Sequence, residues 1–287
     1  KDEIEIYLIS NQKDPTTVST EISNLVFKTI DINQLNDLKA LNKIRELNLD
    51  IMIDIMGYTS RNRIALFKNR IAKKQVIWMG YCNTTGLKNM DYIITDPNLI
   101  YHNEKDLYAE QIFYLPEIWN THCGFDFERI ETPPPFMKNN YITFGSFNNP
   151  SKINDDVITC WSKILKNIKN SKLVIKCPND KQQLFRIKKS FKQKLILQSV
   201  IFHTSFDDKK DHLNLYKKID IALDTFPYNG VTTSFEAIWM GVPVITMVGY
   251  NFNSRCGESI NKNLGMEQLI AKDENDYVQK IVNLSDD

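Results

Sequence analysis

No stretch of this 287-residue chain approaches the run of roughly 20 apolar residues that a membrane-spanning helix needs. There is no surplus of either charge. Lys+Arg number 36 against Asp+Glu 35, a net charge of +1, so electrostatics gives no argument for nucleic acid or an anionic membrane as a partner. The local basic clusters, Lys188-Lys189 and Lys192 with Lys194, fall in a helical pattern and read as a solvated face. The five cysteines (82, 123, 160, 177 and 256) include no Cys-x-x-Cys pair. That spacing argues against a disulfide framework or a zinc knuckle and for a reducing, cytoplasmic compartment. The four histidines (102, 122, 203 and 212) are scattered, with no His/Cys spacing suited to zinc, so no metal or cofactor site is expected. Neither Gly-x-x-x-x-Gly-Lys-Ser/Thr nor Gly-x-Gly-x-x-Gly is present, so an NTPase or dinucleotide enzyme lacks its fingerprint. A Gly-x-Ser-x-Gly nucleophile elbow is also missing.

What the chain does have is alternation. Apolar runs at Ile4–Ile9, Val26–Ile30, Ile51–Ile55, Gln75–Met79, Tyr92–Thr95 and Ile112–Leu115 read as strands. Leu35, Leu38, Leu41, Ile44 and Leu47 recur at helical spacing between two of them. Residues 120–140 lose this periodicity and contain Pro133-Pro134-Pro135. A second series follows at Tyr141–Phe147, Lys172–Lys176, Val200–His203, Ile219–Leu223 and Val242–Thr246, with helices predicted near 154–168, 180–194, 208–218, 233–240 and 273–283. Strands alternating with helices imply parallel sheets covered on both faces. The expectation is an α/β chain of two Rossmann-like domains: residues 1–122, a linker over 123–140, and residues 141–287, with a ligand cleft between them.

The richest segment runs from Asp220 to Gly249. A strand ends at Asp224; Pro227, Asn229 and Gly230 break it; Thr232, Thr233 and Ser234 are helix N-cap residue types. Thr233 with Glu236 fits a capping box, and the helix is expected to stop at Gly241. Such a turn delivers a helix N-terminus to the carboxyl end of a strand, where an α/β protein binds phosphate. An ordinary capped connection explains Thr233 and Glu236 taken singly, and explains less well the clustering of Asn229-Gly230 with three hydroxyl residues. Phe144–Ile153 is a second such turn, in which Lys152 is either an exposed loop lysine, the commoner state, or, in a loop made tight by Gly145 and two asparagines, a compact point charge that can neutralise a diphosphate. Lys209 and His212, in Phe206–Leu213, suit a nucleobase or ribose as well as they suit a plain helix surface. Asp54–Thr59, Trp78–Tyr81 and Thr84–Gly86 are glycine- and hydroxyl-bearing turns at strand ends, suited to a sugar or acceptor pocket, though without a partner motif they read as plain well-formed turns.

As a set, these residues resemble the catalytic region of the O-linked N-acetylglucosamine transferases, the SPINDLY-like group of glycosyltransferase family 41. Asp54–Thr59 carries the likeness, with Gln75–Tyr81, Thr84–Gly86, Met90–Asp96, Phe144–Asn149 with Lys152, and Leu223–Gly230 continuing through Thr232, Thr233, Glu236 and Met240–Pro243. The resemblance covers nearly the whole chain. It implies a GT-B fold of two facing Rossmann-like domains and inverting, metal-independent transfer of a sugar to Ser or Thr of an acceptor protein. The donor it implies is a nucleotide-sugar such as UDP-N-acetylglucosamine. By motif, Lys152 would be catalytic, binding the diphosphate and stabilising the leaving group. Asn149, Lys209, His212, Asn229, Gly230, Thr232, Thr233 and Glu236 would bind the donor, Glu236 through the ribose. Tyr58, Thr59 and Gly80 would line the acceptor side. The family pattern also implies a strand and a His-Pro loop before residue 1, segments after Asp287 that complete the second domain, and tetratricopeptide repeats in the parent protein. Val231 stands where animal members have histidine, Arg70-Ile-Ala-Lys73 replaces Arg-Pro-Ala-Pro, and Asp207-Asp208 puts acid beside the nucleobase site. The base and sugar therefore stay open, GDP-sugars and UDP-glucose included. Two other readings remain: a nucleotide-sugar-binding module without catalysis, and a two-domain small-molecule receptor.

Overall fold

The computed structural model describes residues 4–125, 132–177, 180–204 and 209–286. In chain order the elements are β1 (Tyr7–Ser10), α1 (Thr17–Leu25), β2 (Lys28–Asp31), α2 (Asp37–Arg45), β3 (Ile51–Asp54), β4 (Lys74–Ile77), β5 (Tyr92–Thr95) and β6 (Gln111–Tyr114). They continue with α3 (Phe136–Asn139), β7 (Thr143–Ser146), α4 (Asp155–Asn167), β8 (Lys172–Lys176), α5 (Lys181–Gln193), β9 (Val200–His203) and α6 (Lys209–Asn214). The last are β10 (Ile221–Leu223), α7 (Thr232–Trp239), β11 (Val244–Met247), α8 (Cys256–Asn263), β12 (Ile270–Ala271) and α9 (Glu274–Asp286). Two compact units form: Lys1–Ile94 with Asp106–Ile112, and Thr95–Lys105 with Phe113–Asp287.

The strands fall into a two-stranded sheet β1-β2, a four-stranded sheet β3-β4-β5-β6 and a six-stranded sheet ordered β12-β11-β10-β7-β8-β9. Strand pairing is parallel throughout the six-stranded sheet. The register sets Phe144 opposite both Leu173 and Ile221. In that sheet the first strand, β7, lies at the centre, its next two strands run to one side and the last three to the other. This is the doubly wound order, and its direction reverses between β7 and β10. The loops leaving the carboxyl ends of those two strands therefore emerge side by side.

Both faces of this sheet are covered, which is why its strands read as continuous apolar runs. On one face Phe144, Leu173, Ile175, Ile221, Leu223 and Ile245 pack with Val157, Trp161 and Ile164 of α4 and with Tyr277 and Ile281 of α9. On the other, Val174, Ala222 and Val244 pack with Leu213, Tyr216 and Ala237. Helix α4 follows its sequence closely. Asn154 caps it by accepting from the Val157 N–H, Asp155 and Asp156 open it, and its apolar residues recur on one side.

All the predicted strands are present: Tyr92–Thr95, Lys172–Lys176 and Val200–His203 keep their expected bounds and the others are shifted or trimmed at their ends, while the two-residue β12 was not expected. Three local readings need correcting. Thr233 and Glu236 do not form a capping box: the cap of α7 is Val231, which supplies no side-chain bond, and both side chains turn elsewhere. Helix α1 was unmarked because its residues are polar or β-branched; Thr16 and Ser19 form its capping box. Helix α8 was missed because Gly257, Ser259 and Asn261 look like loop residues, yet Cys256–Asn261 are all buried, so tertiary packing overrides weak propensity. Helix α7 does end where expected, at Gly241 in the left-handed region (φ 79°).

Candidate functional site

The loops after β7 and β10 meet around one buried carboxylate. Asp224, the residue after β10, is 1% exposed. Its Oδ1 accepts from the N–H of Thr225 (2.9 Å), the N–H of Gly230 (2.7 Å) and Asn148 Nδ2 (3.2 Å), and its Oδ2 accepts from Thr246 Oγ1 (2.8 Å). Burial pushes the carboxyl up to about 6; the Gly230 N–H, the Thr246 hydroxyl, the Lys152 charge and the Thr225 N–H oppose that rise. The four donors around its two oxygens suit the ionised, acceptor-only form. Asn148, also buried, accepts at Oδ1 from Thr233 Oγ1 (2.8 Å). One chain of hydrogen bonds therefore runs from the end of β10 to the first turn of α7.

Lys152 reaches the same place from the β7 loop. Its Nζ donates to the Asn229 carbonyl (2.7 Å) and lies 4.0 Å from the centroid of the Tyr228 ring. Asn229 is buried and held on three sides: its N–H donates to Asn253 O, its Nδ2 to Thr225 O, and its Oδ1 accepts from the Gly257 N–H. Gly230 has no room for a side chain. A Cβ there would stand 2.8 Å from Asn148 Oδ1 and 3.0 Å from the hydroxyls of Thr233 and Ser234. The first N–H groups of α7, at Thr232 and Thr233, have no intrahelical partner by helix geometry, so a half-buried ammonium and a helix N-terminus lie at one strand switch.

A second cluster lies beneath α7. Glu236 Oε2 meets His212 Nε2 at 2.9 Å and accepts from Tyr216 OH at 3.2 Å. Lys176 Nζ is 3.4 Å from both ring nitrogens of His212. Burial acts to raise the Glu236 carboxyl, but the bond and charge of His212, with Tyr216 and Lys176, hold it below the ordinary glutamate value. Burial lowers the Lys176 ammonium, and Glu236 pulls it back.

The structure thus joins Lys152, Asn229, Gly230 and Thr233 in one network and His212 with Glu236 in another. Thr232 is exposed at the start of α7. Asn149 caps its own short turn: its Oδ1 accepts from the N–H and the hydroxyl of Ser151. Lys209 opens α6, but its side chain, like Asp207-Asp208, lies outside the described residues. In the first unit Tyr58 and Tyr81 meet edge to face at 5.4 Å, and Tyr58 OH donates to Thr85 O. The Thr59 N–H donates to Met56 O, and a Cβ on Gly80 would strike the Ile55 carbonyl at 1.9 Å. Glu110 secures the Thr84–Gly86 turn by accepting from the Thr84 hydroxyl and from the N–H and hydroxyl of Thr85. Sequence reasoning did not single out Asn148, Asp224, Tyr216 or Lys176. Their one sequence signal is position, since each lies within two residues of a strand or helix end. Among the described residues no group of three His, Cys, Asp or Glu side chains could hold a metal ion.

The family model for glycosyl transferase family 41 matches residues 1–124 and 136–287. The chain belongs to this family. Among plant relatives, it is 37% identical over 260 residues to the Eustoma exaltatum protein named "Probable UDP-N-acetylglucosamine--peptide N-acetylglucosaminyltransferase SPINDLY". It is 35% identical over 266 residues to the Arabidopsis thaliana protein of the same name. Each alignment takes in 90% of this chain and 28% of the relative, so the chain spans under a third of the length of these family members. Among solved structures, a point mutant of the Thermobaculum terrenum O-GlcNAc transferase matches with a TM-score of 0.91 and 28% identity, covering 99% of this chain and 54% of that one. The lipopolysaccharide galactosyltransferase WaaB, at TM-score 0.55 and 14% identity, shares the glycosyltransferase fold alone.

Proposed function

We propose that this chain is the donor-binding and catalytic region of a protein O-glycosyltransferase, with UDP-N-acetylglucosamine as donor and Ser or Thr of an acceptor protein as target. The observation that carries it is Lys152 Nζ held at the Asn229 carbonyl, on the loop that leads into α7. In the transfer, the acceptor oxygen bonds to the sugar's anomeric carbon as the bond from that carbon to the diphosphate breaks. The electron pair leaves on the diphosphate, and the hydroxyl proton leaves to a base. The growing negative charge is stabilised by the Lys152 ammonium and the α7 N-terminus, which supports metal-independent chemistry. Attack from the face opposite the leaving group inverts the anomeric centre.

Gly230, Thr232 and Thr233 are assigned to the distal phosphate, Glu236 to the ribose, and His212 with Lys209 to the base. Asn149 supports the phosphate turn; Tyr58, Thr59 and Gly80 are assigned to the acceptor side. The names of the plant relatives support the donor. Five cysteines without Cys-x-x-Cys spacing support a cytoplasmic site of action, and no described helix is long and apolar enough to cross a membrane. Tetratricopeptide repeats in the parent protein would bind the acceptor. Calorimetric titration with UDP, GDP and UDP-N-acetylglucosamine tests the site. The expected result is uridine-selective binding that Lys152→Ala weakens at least about tenfold, with turnover by the full-length protein falling by about 100-fold or more. Nucleotide binding by neither form, or undiminished turnover in the variant, would overturn the assignment.

A further inference from the structure

We propose that Asp224 is a positioning residue for the donor site, holding the 225–230 loop and, through Asn148, the Thr233 hydroxyl at the start of α7. This rests on the donor assignment above and adds to it a group that touches no substrate. The geometry is specific. Asp224 is buried, yet all four groups facing its two oxygens are donors: two backbone N–H groups of the loop, one amide and one hydroxyl. An ionised carboxylate is acceptor-only, so it satisfies such a set without competing for its donors. The two loop donors, Thr225 and Gly230, are the first and last residues of the turn that carries Asn229. The carbonyl of Asn229 anchors Lys152. Asn148 works as a relay, donating to Asp224 through Nδ2 and accepting from Thr233 through Oδ1. A shift at Asp224 is therefore passed to both phosphate-facing elements.

Other neighbours fix Asp224 itself. Tyr277 OH donates to its backbone carbonyl (3.0 Å), and a Cβ on Gly257 would come within 2.9 Å of Oδ2. The charged or titratable groups that face it are Lys152, from the β7 loop, and Tyr277, from α9. A purely space-filling role would need neither ordered acceptors nor the Asn148 relay. Burying a carboxylate is costly unless its hydrogen bonds are made, so its presence calls for something that an apolar residue cannot supply.

The test compares Asp224→Ala, Asp224→Asn and Asn148→Ala with the unaltered chain. It reads amide hydrogen exchange over 225–230 and calorimetric affinity for UDP-N-acetylglucosamine. In Asp224→Ala, exchange at Gly230 should speed up at least tenfold and donor affinity should fall at least tenfold. Asp224→Asn keeps an acceptor oxygen toward Thr225 and Gly230, so both readouts should return to within about threefold of the original. Asn148→Ala keeps the loop contact but cuts the relay; it should weaken the donor while leaving Gly230 protected, and it serves if Asp224→Ala does not fold. Unchanged exchange in folded Asp224→Ala, or Asp224→Asn as impaired as Asp224→Ala, would overturn the proposal. Altered exchange in a chain that binds no nucleotide in any form would instead remove the donor assignment and leave the loop-positioning role standing.

Discussion

At the scale of single residues, the site is a small set of side chains whose charge states are set by burial and by the partners that oppose it. Asp224 shows the sign most clearly. Its carboxyl stands at about 6 in the folded protein against an ordinary 3.8. Between those values the folded state holds the proton and the unfolded state does not, so this group's contribution to stability falls as pH rises through that window. Glu236, held below its ordinary value, acts in the opposite sense: its contribution is lost as pH falls through the folded value. Thermal denaturation from pH 4 to pH 7 should therefore show the Asp224 component only as a difference. The gap in Tm between Asp224→Asn and the unaltered chain should move in the variant's favour as pH rises; a gap independent of pH would contradict the buried, ionised carboxylate. Lys152, Gly230 and Thr233 were legible in the sequence because they sit in dense local motifs. Asp224 and Asn148 lie in the same motifs, but their pairing was not legible, since they find each other across 76 residues.

At the scale of elements, Asn154 shows how one residue serves fold and site together. Its Oδ1 caps α4 by accepting from Val157, and its Nδ2 donates to Phe226 O in the 225–230 loop (3.0 Å). Asn154→Ala should cost about 1–2 kcal/mol through the lost cap. Asn154→Asp keeps the cap but sets an acceptor oxygen against the Phe226 carbonyl, so it should retain more of the Tm than Asn154→Ala while lowering donor affinity at least as much. Equal donor affinity in Asn154→Asp and the unaltered chain would show that the tether does not matter. The caps of α2, α4 and α5 are local contacts, the side chains of Asn36, Asn154 and Asp180 each accepting from the N–H three residues on. Helix α7 broke that rule. Thr233 and Glu236 have capping-box spacing, but a relay to Asn148 and a buried pair with His212 outcompete the local bonds.

At the scale of the whole molecule, segments far apart in the chain are locked into the second unit by buried polar contacts. Arg255, 4% exposed, pairs with both oxygens of Glu104 (2.5 and 2.7 Å), donates to the carbonyls of Leu99 and Gly249, and lies over the Tyr101 ring. Asp96 accepts from the Ser259 hydroxyl and the Trp119 N–H in the same region. Arg255→Ala should cost about 3 kcal/mol, because it leaves a partly buried carboxylate without its partner. Calorimetry should show the lower Tm, and limited proteolysis should show cleavage within 95–105; resistance equal to that of the unaltered chain would refute the clasp. The sequence by itself determined the alternation of strand and helix, the parallel character of the sheets and membership of glycosyl transferase family 41. Periodicity, caps and motifs are written in residues close together along the chain. Only the tertiary structure decided the order β12-β11-β10-β7-β8-β9, and with it the meeting of the two loops at Asp224. Strand neighbours are chosen by which apolar faces can be covered at once, a condition on residues far apart in sequence, and a buried acceptor is specified only once its donors have been brought to it.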